Sequence, residues 1–123
     1  MARILIVDDN HDAADTLCAW LKMEGHECVV VYEGNSASQL ALTLRPDIVL
    51  LDLGMPNVDG YEVARRIRDS PGGRRIRIVA LTGWGQPADR ERTAAAQIDA
   101  HLVKPVEPSE LLVLLADYMR GKD

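Results

Sequence analysis

Short apolar runs alternate along this chain with longer stretches in which apolar side chains recur at helical spacing. The runs Ile4-Leu5-Ile6-Val7, Ile48-Val49-Leu50-Leu51, Ile78-Val79-Ala80-Leu81 and His101-Leu102-Val103 are short and nearly continuous. They read as strands covered on both faces, the mark of a parallel sheet. Strands are predicted at about 3–8, 27–32, 47–52, 76–82 and 99–103. Helices are predicted between and after them, at about 11–24, 35–44, 59–69, 87–96 and 107–120. Gly25 and Pro46 punctuate the first two helix exits, and Pro71-Gly72-Gly73 marks a loop after the third. Glu107-Pro108-Ser109-Glu110 opens the last helix, with Pro in its first turn and acids facing the positive end of its dipole. Leu111, Leu112, Leu114 and Leu115 then supply a buried stripe.

Five βα units predict an α/β fold of the doubly wound, flavodoxin-like kind, because parallel neighbours require right-handed crossovers. The strand order expected is 2-1-3-4-5, which sets strands 1 and 3 side by side at the topological switch. Parallel strands present their carboxyl ends at one edge, where such sheets bind ligands. Asp8 and Asp9, Asp52, Thr82 and Lys104 each close or follow a strand, so three carboxylates, a hydroxyl and an ammonium should share one pocket. That oxygen-rich, negative pocket is the ligand type Mg²⁺ selects. Without a cation the carboxylates would repel one another. Taken alone, Asp8-Asp9 also fits an N-cap for the first helix. Asp52, closing an apolar strand, is harder to explain as structure. Lys104 can carry a point charge toward an anion near Asp52, or lie on the surface with a solvated head. Its junction with Pro105 invites a cis peptide. Thr82 before Gly83 offers an accessible hydroxyl, or is a β-branched strand end. Gly83-Trp84-Gly85 is too little to be a phosphate loop.

Composition narrows the picture. At 123 residues, one domain spanning 1–123 is expected. The chain is 47% hydrophobic with no Phe, so Leu, Ile, Val and Ala must fill the core. Fourteen basic against 19 acidic residues give −5, which argues against duplex nucleic acid or an anionic membrane as direct partner. No stretch approaches the ~20 apolar residues of a membrane span. Met1-Ala2-Arg3 runs straight into a strand, so no signal peptide is expected and the cytoplasm is the default location. Cys18 and Cys28 lack metal or redox spacing and read as buried small hydrophobes. Arg65, Arg66, Arg68, Arg74, Arg75 and Arg77 read as a solvated helix end and loop.

Asp8-Asp9, Asp52 with Met55-Pro56 and Asp59-Gly60, Thr82-Gly83 and Lys104-Pro105 together resemble the response-regulator receiver domain, over essentially the whole chain. The resemblance implies that Asp52 accepts a phosphoryl group from a phosphohistidine of a histidine kinase or histidine phosphotransfer domain. It implies Mg²⁺ held by Asp9, Asp52 and the Gly54 carbonyl, with Asp8 acting through water. Lys104 would neutralise phosphoryl oxygens, and Thr82 would bond the attached group and draw its loop inward. The readout surface would be the face built from 87–96, 99–103 and 107–120. The chain is read as a stand-alone regulator, or equally as a piece of a hybrid histidine kinase or of a longer regulator; its segment from Leu81 to Leu115 looks more like receivers of hybrid histidine kinases.

Two positions depart from the family's pattern, and two more bear on the phosphoryl pocket. His101 stands where receivers carry Tyr or Phe as a rotamer switch; it could swing behind Thr82 and titrate near neutrality, or be a half-buried strand histidine. Gln97 replaces a Gly after the fourth helix, so that exit is expected to differ. Gly54 and Trp84 occupy the positions that flank the phosphoryl pocket in the family; Gly54 has no side chain to orient or exclude water, and Trp84 either shields the pocket, modulating the phosphorylated state's lifetime, or lies on the surface. Two rival functions carry over: a pseudo-receiver that binds partners without phosphorylation, and an Asp-nucleophile phosphatase. Gly54 cannot supply the second acid of the latter.

Overall fold

The computed structural model describes residues 1–83 and 85–120. Its five strands are β1 (Arg3–Val7), β2 (Glu27–Val31), β3 (Ile48–Asp52), β4 (Arg77–Thr82) and β5 (Ala100–Val103). All pair in parallel, in the order β2-β1-β3-β4-β5. The helices are α1 (His11–Met23), α2 (Ala37–Leu44), α3 (Gly60–Asp69), α4 (Arg90–Ala96) and α5 (Pro108–Met119), with 3₁₀ turns at Gly34–Ser36 and Gly73–Arg75. The expected topology holds, because the apolar runs are buried on both faces as a central parallel sheet requires. Every residue of β3 is buried.

Two core layers sandwich the sheet. Ile4, Ile6, Leu50, Val79 and Leu81 pack with Leu21 of α1 and with Leu111 and Leu115 of α5. Leu5, Val7, Val49, Leu51 and Ile78 pack on the other side with α2, α3 and Ala96 of α4. The alternation along each strand sends successive side chains to opposite layers. Cys18 and Cys28 are free and buried in the first layer, and burial pushes the Cys28 thiol upward. Among the described residues no helix is long and apolar enough to cross a membrane.

Both ends of the fourth helix differ from expectation. The fourth helix starts at Arg90 rather than near 87, because the Asp89 carboxylate caps it by accepting from the Arg92 amide at 3.1 Å. Pro87 just upstream holds its predecessor out of the helical region. The exit of α4 keeps the left-handed turn, with Gln97 at φ 55 and ψ 47. A residue that resists this conformation is held there by its own carbonyl, which accepts from Arg68 Nη2 at 2.7 Å and Nε at 3.2 Å.

Arg68 also overturns the reading of the arginine cluster as wholly solvated. Its side chain is 8% exposed and donates to the Gly73 carbonyl at 2.7 Å, to the Ile76 carbonyl, and to Asp99 at 3.0 Å. Helical spacing could not reveal that these carbonyls converge on one guanidinium, whose planar fork satisfies them together. Gly73 belongs to the same knot: a Cβ there would stand 1.7 Å from the Ile67 carbonyl oxygen. Arg77 pairs with Asp99 at 3.4 Å and lies over the Tyr118 ring, whereas Arg65 and Arg66 make exposed pairs with Glu62.

Candidate functional site

The register places Val7 beside Leu51 and Asp52 beside Leu81, so β1, β3 and β4 end at one level. Asp8 follows β1 directly, its amide donating to the Val31 carbonyl at 3.0 Å. Asn10, not either aspartate, caps α1, its side chain accepting from the Ala13 amide at 3.1 Å. That resolves the alternative left open for the Asp8-Asp9 pair: neither carboxylate caps the helix, and Asp8 Oδ1 instead accepts from the Asn10 amide at 3.0 Å. One oxygen from each of Asp8, Asp9 and Asp52 lies within 4.8 Å of the others. Asp8 is 2% and Asp52 6% exposed, while Asp9 faces solvent.

Lys104 reaches this cluster from the end of β5. Its Nζ stands 2.7 Å from Asp8 Oδ2 and 3.2 Å from Asp52 Oδ2. The Lys104 amide donates to the Thr82 carbonyl at 2.7 Å, tying the ends of β4 and β5 together. The Lys104–Pro105 peptide is cis. Asp52 Oδ1 accepts from the Gly54 amide at 2.8 Å, leaving Oδ2 on the Lys104 side. Thr82 ends β4 and is 4% exposed. Gly60 lets α3 start against the β3 exit, since a Cβ there would come within 2.7 Å of Leu53 Cδ2 and 3.2 Å of the Asp52 carbonyl.

The electrostatics follow from this geometry. Burial pushes the Asp52 carboxyl upward, the Gly54 N–H and Lys104 pull it back in part, and Asp8 adds to the rise. Burial alone would lower the Lys104 ammonium, but Asp8 and Asp52 more than offset it, so it is held above its usual range. One cation faces three carboxylates. The hard, all-oxygen donor set fits a magnesium ion, and its excess negative charge gives such an ion a reason to bind.

Beside the acids a groove of about 880 Å³ opens between α1 and the β5–α5 loop, lined by Leu17, Trp20, Pro105 and Val106 and reaching Asp8 and Lys104. The sequence pattern did not single it out, because its walls come from distant segments. His101 is half-buried on β5, its Nε2 3.3 Å from Thr93 Oγ1, and burial lowers its pKa. Trp84 lies outside the described residues. Sequence reasoning also missed Gln86. Its Oε1 accepts from the Gly83 amide at 3.0 Å and lies 3.6 Å from where a Cβ of Gly54 would stand. Nothing in its local context, a Gly- and Pro-containing loop, signals that approach.

Carboxylates at the ends of adjacent parallel strands, answered by a lysine from the last strand, coincide with a match to the family model for the response regulator receiver domain over residues 4–116. The chain belongs to that family. The DNA-binding dual master transcriptional regulator RpaA of Synechocystis is 33% identical over 123 residues, all of this chain and 51% of that protein. MtrA of Mycobacterium tuberculosis, a DNA-binding response regulator, is 35% identical over 98% of this chain and 52% of its own length. This receiver therefore spans about half the length of those curated relatives. Among solved structures, the receiver domain of sensor histidine kinase PA1611 from Pseudomonas aeruginosa, with magnesium coordinated in its active site cleft, has TM-score 0.85 and 34% identity. It covers 96% of this chain and 97% of that one. Vibrio cholerae chemotaxis protein CheY4 has TM-score 0.87 at 28% identity, covering 96% of this receiver and 98% of that chain.

Proposed function

We propose that this chain acts as one phosphoacceptor unit of a two-component phosphorelay, taking a phosphoryl group from a phosphohistidine onto Asp52 and switching a partner-binding face. One observation carries the reading. Asp52 is a buried carboxylate with one oxygen held by a backbone amide and the other facing an ammonium, at the end of a central strand.

In the transfer, an Asp52 oxygen bonds to phosphorus as the P–N bond to the donor histidine breaks and its electron pair returns to the imidazole. Asp9, Asp52 and the Gly54 carbonyl, with Asp8 behind them, are the groups that would hold Mg²⁺, which when bound supplies positive charge against the phosphoryl oxygens. The Gly54 amide fixes the carboxylate's rotation, so the nucleophile is oriented before the donor arrives. Lys104 already sits beside Asp52 Oδ2 and can transfer its attention from Asp8 to the incoming phosphoryl oxygens. Thr82, at the same edge, can donate its hydroxyl to the attached group and draw the loop after β4 toward it. That motion would reach α4, β5 and α5, including His101 through its contact with Thr93. The apolar groove beside Asp8 and Lys104 offers a seat for a helix of a histidine kinase or phosphotransfer protein.

The test is incubation with Mg²⁺ and acetyl phosphate followed by intact mass. The parent should gain one phosphoryl group and Asp52→Asn none. Phosphorylation that persists in Asp52→Asn would refute the assignment, and catalytic turnover of a generic phosphate ester would favour an Asp-nucleophile phosphatase.

A further inference from the structure

We propose that Gln86 positions the water that ends the phosphorylated state of Asp52; this deepens the phosphoacceptor reading and rests on it. Gly54, two residues past Asp52, puts no side chain of its own beside the carboxylate, and among the described residues Gln86 is the other side chain that reaches this spot. A point marking an absent Gly54 Cβ lies 3.3 Å from Asp52 Oδ1 and 3.6 Å from Gln86 Oε1. An acyl oxygen and a carboxamide oxygen thus border one small space that no other described side chain enters within 4 Å of that point.

The carboxamide is held, not loose. Gln86 and Gly83 exchange two hydrogen bonds: the Gln86 amide donates to the Gly83 carbonyl at 3.1 Å, and the Gly83 amide donates to Gln86 Oε1 at 3.0 Å. Gly83 directly follows Thr82, so the clamp anchors Gln86 to the strand end that carries the pocket's hydroxyl. Oε1 has a second lone pair for a water hydrogen, and Nε2, which has no partner among the described residues, can donate to a phosphoryl oxygen. A simple turn-capping role would use only the Oε1 lone pair that Gly83 occupies and leave both of these capacities unused.

Hydrolysis needs orientation more than acid or base here. Water oxygen bonds to phosphorus, the bond from phosphorus to the Asp52 oxygen breaks, and its electron pair returns to the carboxylate. Both water protons leave on inorganic phosphate, so no group on the protein need gain or lose one. A carboxamide has no useful pKa but can hold a water in line, the part such side chains play in phosphoryl transfer to water. Loss of that orientation should slow the step by roughly tenfold.

The experiment phosphorylates the parent, Gln86→Ala and Gln86→Met with acetyl phosphate and Mg²⁺, removes the donor, and follows loss of the phosphoryl group by intact mass. Both variants should gain the group at the parent's rate and lose it roughly tenfold more slowly, because formation does not use this water. Gln86→Met keeps the length of the side chain without its hydrogen bonds, which separates water positioning from space filling. Equal or faster loss in both variants overturns the proposal, as does slowed formation matching slowed loss, the mark of a general structural defect. A parent that takes up no phosphoryl group overturns the phosphoacceptor reading itself, and this inference with it.

Discussion

Replacing Asp52 by Asn should make the metal-free protein more stable, although it removes the residue placed at the centre of function. The Asp52 carboxylate is 6% exposed, 3.2 Å from Lys104 Nζ and within 4.8 Å of an oxygen of Asp8 and of Asp9. At an effective dielectric of about 20, attraction to Lys104 is about 5 kcal/mol and repulsion from Asp8 about 3.5 kcal/mol. Asp9, exposed, adds a screened repulsion of about 1 kcal/mol. The charge terms nearly cancel, which leaves the cost of holding an ionised carboxylate away from water. Asn keeps an oxygen for the Gly54 amide and removes that cost, so a gain of about 1–2 kcal/mol, or roughly 4–8 °C in Tm, is expected. The sign of the pH dependence follows. Burial raises the carboxyl of folded Asp52 above its unfolded value, so the stability its proton contributes is complete below about pH 4 and fades as pH rises through the folded pKa. The variant's advantage should therefore be absent in acid and open toward neutrality. Thermal unfolding in EDTA across that pH range measures it. Added Mg²⁺ should then raise the parent's Tm more than the variant's, since a ligand at 100 times its Kd contributes about 2.7 kcal/mol. A variant that melts below the parent in EDTA at neutral pH, or equal Mg²⁺ shifts in both, would refute the reasoning.

Arg68→Met should cost about 3 kcal/mol in urea unfolding, because it strands the Gly73, Ile76 and Gln97 carbonyls and leaves Asp99 with only the Ile78 amide and the exposed Arg77; an unchanged midpoint would show that water replaces the guanidinium freely. Gly73→Ala should lower the midpoint by about 2 kcal/mol or more, since its Cβ would meet the Ile67 carbonyl oxygen at 1.7 Å and only backbone movement can relieve it. Ellman's reagent should find neither Cys18 nor Cys28 in the native protein and both after unfolding, given their burial and the raised Cys28 thiol; fast native labelling would mean that the α1–β2 layer opens readily.

Local pattern predicts the succession of strands and helices, the parallel sheet, and the strand ends at which Asp8, Asp9, Asp52, Thr82 and Lys104 stand, while the strand order comes from the known doubly wound solution for five such units. The pattern can do so because burial on two faces imposes continuous apolar runs, and parallel pairing then leaves few topologies. Features that depend on where distant segments meet were decided only by the folded chain. Arg68 looks like its solvated neighbours in sequence yet is consumed by three carbonyls from two other segments, the Gly73–Ile76 turn and the exit of α4. Gln97 adopts a conformation its type resists because that same arginine grips its carbonyl. Asn10 takes the cap that the aspartate pair could equally have filled, and Gln86 reaches the edge of the Asp52 pocket through a turn closed on Gly83. Periodicity records which face a residue turns to the core, whereas hydrogen-bond partners are chosen by three-dimensional proximity, and no spacing rule along the chain encodes that.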